Sequence, residues 1–217
     1  MESVSGVGVL DKAIVVLQAL RISPLTLADL QSATELPRAT AHRLAVALEA
    51  HGLVRRDAAG RFSLGFELIS FGHAAAASFP LGEIARPMLV ELRDSSGESV
   101  QLFVRDGADR RCVVSLQSPH GLRWIVPEGA LLPLLALGSA GRVLTGRDVG
   151  GWMESVEERE PGVASVSAPV VGREGSVVAA ISISGPIERL SRDPGIRFGP
   201  SVVAAAAKIA ALLDRLG

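Results

Sequence analysis

The chain has 217 residues, of which 48% are hydrophobic and 21% charged, and its formal net charge is -1. This composition predicts a packed globular protein rather than a disordered one, and the near-neutral charge excludes a uniformly basic nucleic-acid coat. Charge is nevertheless uneven, because residues 37–65 carry five arginines against one glutamate and one aspartate. A basic segment on a mildly acidic protein indicates a local contact with DNA.

Cys112 is the only cysteine, so the chain cannot form an intrachain disulfide. The N-terminal segment lacks the basic region of a signal peptide, and Asp11 and Lys12 interrupt its first apolar stretch. No apolar run reaches the length of about 18 residues that a membrane span needs. We therefore expect a cytoplasmic protein without membrane association, metal site or cofactor.

The first third of the chain has the pattern of a winged helix-turn-helix. Apolar residues recur at steps of three and four in the first helix, Thr26 caps the second, and Pro37 suits the first turn of the third. The predicted elements are helices over 9–20, 27–33 and 37–50, then strands over 53–56 and 61–64 around a turn at 57–60. We therefore assign residues 1–65 to a winged helix-turn-helix domain.

The remaining two thirds predict a linker helix and a second domain. Residues 66–77 have helical spacing and are followed by a break at 78–82, so 66–80 is interpreted as the linker. A helix over 83–93 precedes a change to period two. The expected elements are strands at 100–104, 112–116, 122–126, 163–170 and 177–184, and helices at 139–144 and 201–216. An antiparallel sheet with helices at its ends gives an α+β sensor-type domain over 81–217.

Candidate DNA contacts follow from the position of the third helix. In a helix-turn-helix the second helix of the motif enters the major groove with its N-terminal part against base edges. The outward-facing or flanking residues are Arg38, Ala39, Thr40, His42 and Arg43. Arg43 could make a bidentate contact with guanine, and three wing residues suit phosphate: Arg55, Arg56 and Arg61. Spacing alone also allows a protein-interaction module, since small three-helix units often contact proteins.

An enzyme is the other alternative. The sequence contains no glycine-rich phosphate loop, no Gly-x-Ser-x-Gly elbow and no His-Glu-x-x-His motif. The four histidines are scattered, and Cys112 lies within a predicted strand, where a buried apolar role is the ordinary expectation. We therefore expect no catalytic activity.

Several segments resemble the IclR-type bacterial transcription regulators. The resemblance begins in Leu36–Leu44, Leu48–Val54 and the wing end Gly60–Gly65. It continues through Gly138–Leu144, Glu158–Val163, Ser167–Val170 and Ala180–Pro186, and so covers nearly the whole chain, from about Val9 to Leu213. Each segment alone is weak, but their order and spacing together are specific for the family.

The resemblance implies a winged helix-turn-helix, a linker helix and an effector domain similar to GAF/PAS sensors. Family members form dimers, often paired dimers, on palindromic operators, and many bind small carboxylates or related metabolites. Carried over by motif, the implied effector site comprises Leu132, Ser139, Ala140, Gly141, Glu158 or its neighbour, Ser182 and Ser184. Ser182 and Ser184 are two apart on a strand and so face the same side. Without the resemblance, serines filling a polar sheet face would be the simpler interpretation.

Two departures from the family affect this site. The stretch 132–141 is one residue longer than usual, and the segment 145–157 is short where the family has a longer helix. Within the family, the sequence segments 98–102, 120–123 and 160–166 are most similar to actinobacterial regulators of amino-acid biosynthesis, particularly of leucine biosynthesis. Fold and family do not determine which genes a regulator controls.

Overall fold

The computed structural model describes residues 5–78, 80–134, 138–146 and 151–216. The chain divides into two compact units, Met1–Phe79 and Pro80–Gly217. The division falls within the segment interpreted as the linker. Each unit has its own apolar core, and each is described by itself below.

The N-terminal unit is a helical core with a short hairpin. Its elements are α1 (Gly8–Leu20), α2 (Leu27–Thr34), α3 (Arg38–Ala50), β1 (Val54–Arg56), β2 (Phe62–Leu64) and α4 (Glu67–Ser78). The Thr26 hydroxyl accepts a hydrogen bond from the Asp29 amide at 3.2 Å and so caps α2. Val16, Leu30 and Phe62 are fully buried at the centre of the unit. The predicted helix-turn-helix and wing are confirmed.

After the hairpin, the backbone at Gly65 passes very close to the backbone of Gly52 and Leu53. The Gly65 amide donates to the Leu53 carbonyl at 2.8 Å, and the Glu67 amide donates to the Gly52 carbonyl at 3.3 Å. A Cβ atom on Gly65 would lie 1.9 Å from the Gly52 oxygen. Only glycine fits this crossing, which joins the end of the wing to the turn after α3.

The C-terminal unit is built on one antiparallel sheet. Its elements are α5 (Leu81–Ser96), β3 (Ser99–Asp106), β4 (Asp109–Leu116), β5 (Leu131–Pro133), α6 (Ser139–Leu144), β6 (Met153–Val156), β7 (Val163–Val171), β8 (Val177–Pro186), α7 (Ile187–Leu190) and α8 (Pro194–Leu216). The sheet has the order β5-β4-β3-β8-β7-β6, with every pair antiparallel. The expected α+β fold is confirmed.

The two faces of the sheet pack against different partners. Val100, Leu102, Ile181 and Ile183 point to the face that α5 and α8 cover. Phe103, Cys112 and Ala180 contribute to a second apolar cluster, which also contains residues of α6 and of the segment 124–134. Because side chains alternate along a strand, polar residues of β3 and β8 fall on the second face. A cavity opens there.

Three expectations for this unit were wrong. Residues 122–126 are not a strand, because 131–133 takes the place beside β4, with Arg111 opposite Leu131. The strand β6 was not expected, since the short segment 145–157 carries no alternating pattern, and residues 147–150 of it lie outside the described residues. The closing helix begins at Pro194 and runs through Pro200, seven residues earlier than expected.

Helix α8 is the one helix in the described part of the chain whose length and composition would allow it to cross a membrane. One face of this helix is buried against the sheet through Val202, Ala206 and Ile209. Core helices of globular proteins meet the same criteria of length and composition.

Candidate nucleic-acid interface and effector cavity

Helix α3 presents the expected outward face. Ala41, Ala45 and Leu48 are buried in the core of the N-terminal unit. The exposed positions of the candidate set on this helix are Arg38, Ala39, His42 and Arg43, and Thr40 is half-buried. The Thr40 and Ala41 amides donate to the Pro37 carbonyl at 2.8 and 3.0 Å, so the hydrogen bonding of the helix starts at Pro37. The N-terminal part of α3 is therefore accessible to a groove.

The wing arginines already have partners within the protein. Arg56 Nε lies 3.1 Å from Glu49 Oε2, and Arg61 Nε lies 2.7 Å from Asp57 Oδ2. Hydrogen bonds from the Arg61 backbone and side chain hold the pKa of Asp57 below its usual range. The guanidinium of Arg55 stacks over the Phe66 ring, 5.0 Å from its centroid.

The arginines of α3 differ from those of the wing. Among the described residues, no salt bridge involves Arg38 or Arg43. Two uncompensated cations at the start of a helix are suited to an anionic surface such as DNA. Helix α3 therefore carries two arginines without a salt bridge among the described residues, and the wing carries one, Arg55.

A cavity lies on the second face of the sheet in the C-terminal unit. Its empty space, counted together with the solvent at its open mouth, is about 450 Å³. Its walls come from β3, β4, β6, β7, β8, α6 and three connecting segments. The lining residues are Gln101, Phe103, Arg110, Trp124, Val126, Gly138, Ser139, Ala140, Ser155, Arg159, Glu160, Val163, Ser165, Ser182 and Ser184.

Hydroxyl groups form part of the polar wall. Ser139 Oγ lies 2.7 Å from both Ser165 Oγ and Ser167 Oγ, which ties α6 to β7. The Ser184 hydroxyl donates to Gln101 Oε1 at 2.8 Å. This bond leaves the Gln101 amide nitrogen without a hydrogen-bond partner among the described atoms.

Two arginines supply the positive charge of the cavity. Arg110 is 2% exposed, and its terminal nitrogen donates to the Pro133 carbonyl at 3.0 Å. Its guanidinium carbon lies 5.7 Å from the centroid of the Phe103 ring, and that of Arg159 lies 5.2 Å from the Trp124 ring. Burial, together with repulsion by Arg159, lowers the pKa of Arg110 to about 10. Burial also lowers the pKa of Arg159, which the neighbouring Glu160 partly offsets.

The structure brings together part of the site implied by the resemblance. Ser139, Ala140, Ser182 and Ser184 line the cavity. The other three residues have different surroundings: Leu132 packs in the second apolar cluster, Gly141 is buried within α6, and Glu158 pairs with Arg142. Glu160 lines the cavity in place of Glu158.

Sequence reasoning missed Gln101, Arg110, Trp124 and Arg159. Arg110 lies two residues before the buried Cys112 on β4, and this spacing could have placed it on the same face. Trp124 and Arg159 lie outside the strands and helices, where no periodic signal exists.

Metal binding and thiol reactivity were considered for the described residues. The described residues contain no group of three or more His, Cys, Asp or Glu side chains placed to hold a metal ion. Burial, together with the charge of Glu128, raises the pKa of the Cys112 thiol to about 12. A buried, protonated thiol is a poor nucleophile.

Both units match models of one family. Residues 9–58 match the IclR helix-turn-helix domain, and residues 144–211 match the bacterial transcriptional regulator IclR C-terminal domain. The glycerol operon regulatory protein of Streptomyces coelicolor is 30% identical over 226 residues, covering 88% of each chain. The chain belongs to the IclR family. The transcriptional repressor IclR of Escherichia coli is 27% identical, covering 85% of this chain and 81% of the repressor.

Solved structures of transcription regulators have the same fold. A transcriptional regulator from Rhodococcus sp. RHA1 is 28% identical, with a TM-score of 0.78 over 97% of this chain and 100% of its own. An IclR homologue from Microbacterium hydrocarbonoxydans, solved with 4-hydroxybenzoate, is 19% identical, with a TM-score of 0.81 over 96% and 100%. This IclR-family protein is therefore a DNA-binding transcription regulator with a C-terminal effector-binding domain. The family consists of regulators rather than enzymes.

Proposed function

We propose that this regulator binds a palindromic operator as a homodimer, or as a dimer of dimers, and that a small metabolite in the cavity changes its affinity for DNA. The observation that carries the proposal is a buried, cationic cavity in the same chain as a helix-turn-helix with uncompensated arginines. The proposed division is a DNA-binding domain over 1–65, a linker over 66–80 and an effector-binding domain over 81–217. Its site of action is the cytoplasm, where a bacterial operator is found.

We assign the DNA contacts by exposure and charge. Arg43 is the proposed base reader and Arg38 its neighbour at the groove edge, with Ala39, Thr40 and His42 completing the surface of α3. Arg55, Arg56 and Arg61 are proposed to contact phosphate. Because Arg56 and Arg61 already pair with carboxylates, each gives up an ion pair in order to reach DNA.

Replacing Arg43 with alanine is expected to reduce sequence preference. Loss of a bidentate guanine contact costs about 1–3 kcal/mol on the operator and little on random DNA. The Arg56→Ala variant serves as the comparison, and it should weaken binding to all sequences by a smaller amount. Gel-shift titrations of both variants on operator and random DNA measure the difference. Equal losses for both variants on both DNAs would contradict the assignment.

The exposed apolar residues of α1 support a homodimer. Val7, directly before the helix, and Leu10 and Ile14 within it follow at helical spacing and are 52%, 51% and 44% exposed. In α4 of the same unit, Ile69 and Phe71 are also more than half exposed. Large apolar side chains repeated along two helices favour burial against a second copy of the chain.

Replacing Leu10 with glutamate is expected to weaken the homodimer. Burial of a leucine side chain contributes about 1.5–3 kcal/mol, so the dissociation constant should rise by roughly tenfold or more. Lys12→Glu, at an exposed position on the same helix, is the matched control and should leave the dimer intact. Sedimentation equilibrium measures both variants. A dimer of unchanged strength in Leu10→Glu would place the interface elsewhere.

The effector is proposed to be a carboxylate metabolite or an amino acid. Resemblance to regulators of amino-acid biosynthesis favours leucine as the effector and leucine metabolism genes as the target. The Microbacterium homologue was solved with 4-hydroxybenzoate, so an aromatic acid is a second candidate effector. An effector changes DNA affinity only if it binds one arrangement of the protein better than another.

A gel-shift titration tests the proposal as a whole. The protein is titrated onto its own upstream DNA and onto random DNA at two salt concentrations, with and without leucine, branched-chain acids and 4-hydroxybenzoate. Specific, salt-sensitive binding that one compound shifts is the expected result. Specific binding that none of these compounds shifts would contradict the effector part of the proposal, and absence of specific binding would contradict the DNA part.

A further inference from the structure

The outward side of α3 combines one cation with apolar side chains. The helix buries Ala41, Ala45 and Leu48 in the core of the N-terminal unit. Because an α-helix has about 3.6 residues per turn, a second row of residues lies directly opposite these three. The residues of that row, all exposed, are Ala39, Arg43, Val46 and Ala50. The middle of this row, which faces away from the core, is therefore occupied by an arginine and a valine.

Val46 has no packing partner that explains its position. Among the residues of α3, all of which the structure describes, Val46 is the one large apolar side chain that is exposed, at 39%. Leu44, on the flank of the helix, packs against the core of the unit, whereas Val46 does not. Arg43 lies one turn before Val46, about 4.5 Å away along the helix axis. A guanidinium and an apolar group are thus presented side by side.

Contact between two copies of α3 does not account for this side of the helix. Arg38 and Arg43 are exposed near Val46, and neither forms a salt bridge with a described residue. Two copies meeting here would bring four cations together, and like charges across an interface are unfavourable. DNA avoids this repulsion, and α3 is the second helix of the helix-turn-helix, which enters the major groove.

The major groove offers a partner to each part of this surface. Guanine presents the acceptors N7 and O6, which a guanidinium binds in a bidentate manner, and thymine presents a 5-methyl group, which apolar side chains contact. Successive base pairs are about 3.4 Å apart along the duplex. The separation of about 4.5 Å between Arg43 and Val46 along the helix therefore places their contacts within about two base pairs of each other.

We propose that Val46 contacts the 5-methyl group of a thymine, and that each operator half-site has this thymine within about two base pairs of the guanine that Arg43 contacts. The inference rests on the proposed function, which assigns the guanine to Arg43. Val46 has no polar group with which to bind phosphate, so its contact contributes to sequence preference and not to general affinity for DNA.

Deoxyuridine substitution tests the contact, because deoxyuridine pairs as thymidine does and lacks only the methyl group. Binding sites are first selected from a random DNA pool with the full chain, and each thymine is then replaced in one half-site at a time. Replacement of one thymine near the guanine is expected to weaken binding about fourfold, which corresponds to the burial of one methyl group. If no thymine within about two base pairs of that guanine is sensitive, the inference is wrong.

The Val46→Ala variant tests whether this side chain makes the contact. For this variant the deoxyuridine penalty is expected to fall from about fourfold to less than about twofold. Its affinity for random DNA and its salt dependence should match the parent, since no phosphate contact is lost. Val46 is exposed and alanine is the better helix former, so the variant should fold. A deoxyuridine penalty of unchanged size in Val46→Ala overturns the inference.

Ile22→Ala is the matched control. Ile22 is 89% exposed in the turn after α1, outside α3, so this variant also shortens a surface apolar side chain of the same unit. It should bind the selected site as the parent does and keep the full deoxyuridine penalty. Loss of the penalty in Ile22→Ala as well would show that the effect does not come from Val46.

The selection also separates this inference from the proposed function. If no sequence is enriched from the pool, specific DNA binding fails and the inference fails with it. If a palindromic site is enriched and Arg43→Ala loses the preference for its guanine, while no thymine methyl group affects binding, the proposed function holds and only this inference is wrong.

Discussion

Replacing Gly65 with alanine should unfold the N-terminal unit or destabilise it by more than about 4 kcal/mol, which is exceptional for a single substitution. The added Cβ would lie 1.9 Å from the Gly52 oxygen and 2.8 Å from the Leu53 carbonyl carbon. These atoms are backbone, and hydrogen bonds on both sides of the crossing hold them in place. Thermal unfolding followed by circular dichroism, together with operator binding, measures the loss.

Gly72→Ala is the matched control for this substitution. Gly72 lies on the exposed side of α4, and beyond the adjoining backbone of its own helix no described atom is within 4 Å of the position its Cβ would take. Alanine is the better helix former by about 1 kcal/mol, so this variant should be as stable as the parent or more stable. If Gly65→Ala retains operator binding and melts at the parental temperature, the close crossing described above does not exist in solution.

Replacing Arg189 with methionine should destabilise the C-terminal unit by about 2–4 kcal/mol, somewhat below the cost of breaking a fully buried ion pair, because Arg189 is partly exposed. The Glu98 carboxylate is almost completely buried and accepts two hydrogen bonds from Arg189, one of 2.8 Å to Oε2. The same guanidinium donates to the Leu122 carbonyl at 2.8 Å. Effector affinity should therefore also fall, since Leu122 is close in sequence to Trp124 in the cavity wall.

Arg192→Met is the control for Arg189→Met. Arg192 pairs with Glu157 at 3.1 Å, but its side chain is 71% exposed, and exposed ion pairs contribute between zero and about 1 kcal/mol. Urea unfolding of the two variants compares a buried pair with an exposed one of the same chemistry. Equal stability of the two variants would show that the Glu98–Arg189 pair contributes no more than a surface contact.

Periodicity accounts for the part of the fold that could be predicted from the sequence. The helices of the N-terminal unit have apolar residues at steps of three and four, and Thr26 and Pro37 mark where α2 and α3 begin. In the C-terminal unit, β7 and β8 are rich in valine, isoleucine and small residues on either side of a glycine-containing turn, and were found within two residues of their bounds. Where the pattern is weak, as in β6, the element was missed.

The candidate cavity could be predicted only in part, because its residues meet through strand pairing. Register places Gln101 opposite Ser182 and Ser165 opposite Ser184, and no local pattern encodes these partners. The motif resemblance supplied the serines of β8 and the start of α6. It did not supply Arg110 or Arg159, whose importance depends on burial and on the absence of a described carboxylate beside Arg110.

Side chains alternate between the two faces of the sheet along β3 and β8, so neighbouring residues contribute either to the core or to the cavity wall. Val100, Leu102, Ile181 and Ile183 pack beneath the helices, while the positions between them, such as Gln101, face the cavity. Substitution at every second position can therefore change what the cavity recognises while the apolar layer and the fold persist. A duplicated gene encoding such a protein could acquire a new chemical signal through a few substitutions, with its DNA-binding unit left as it was.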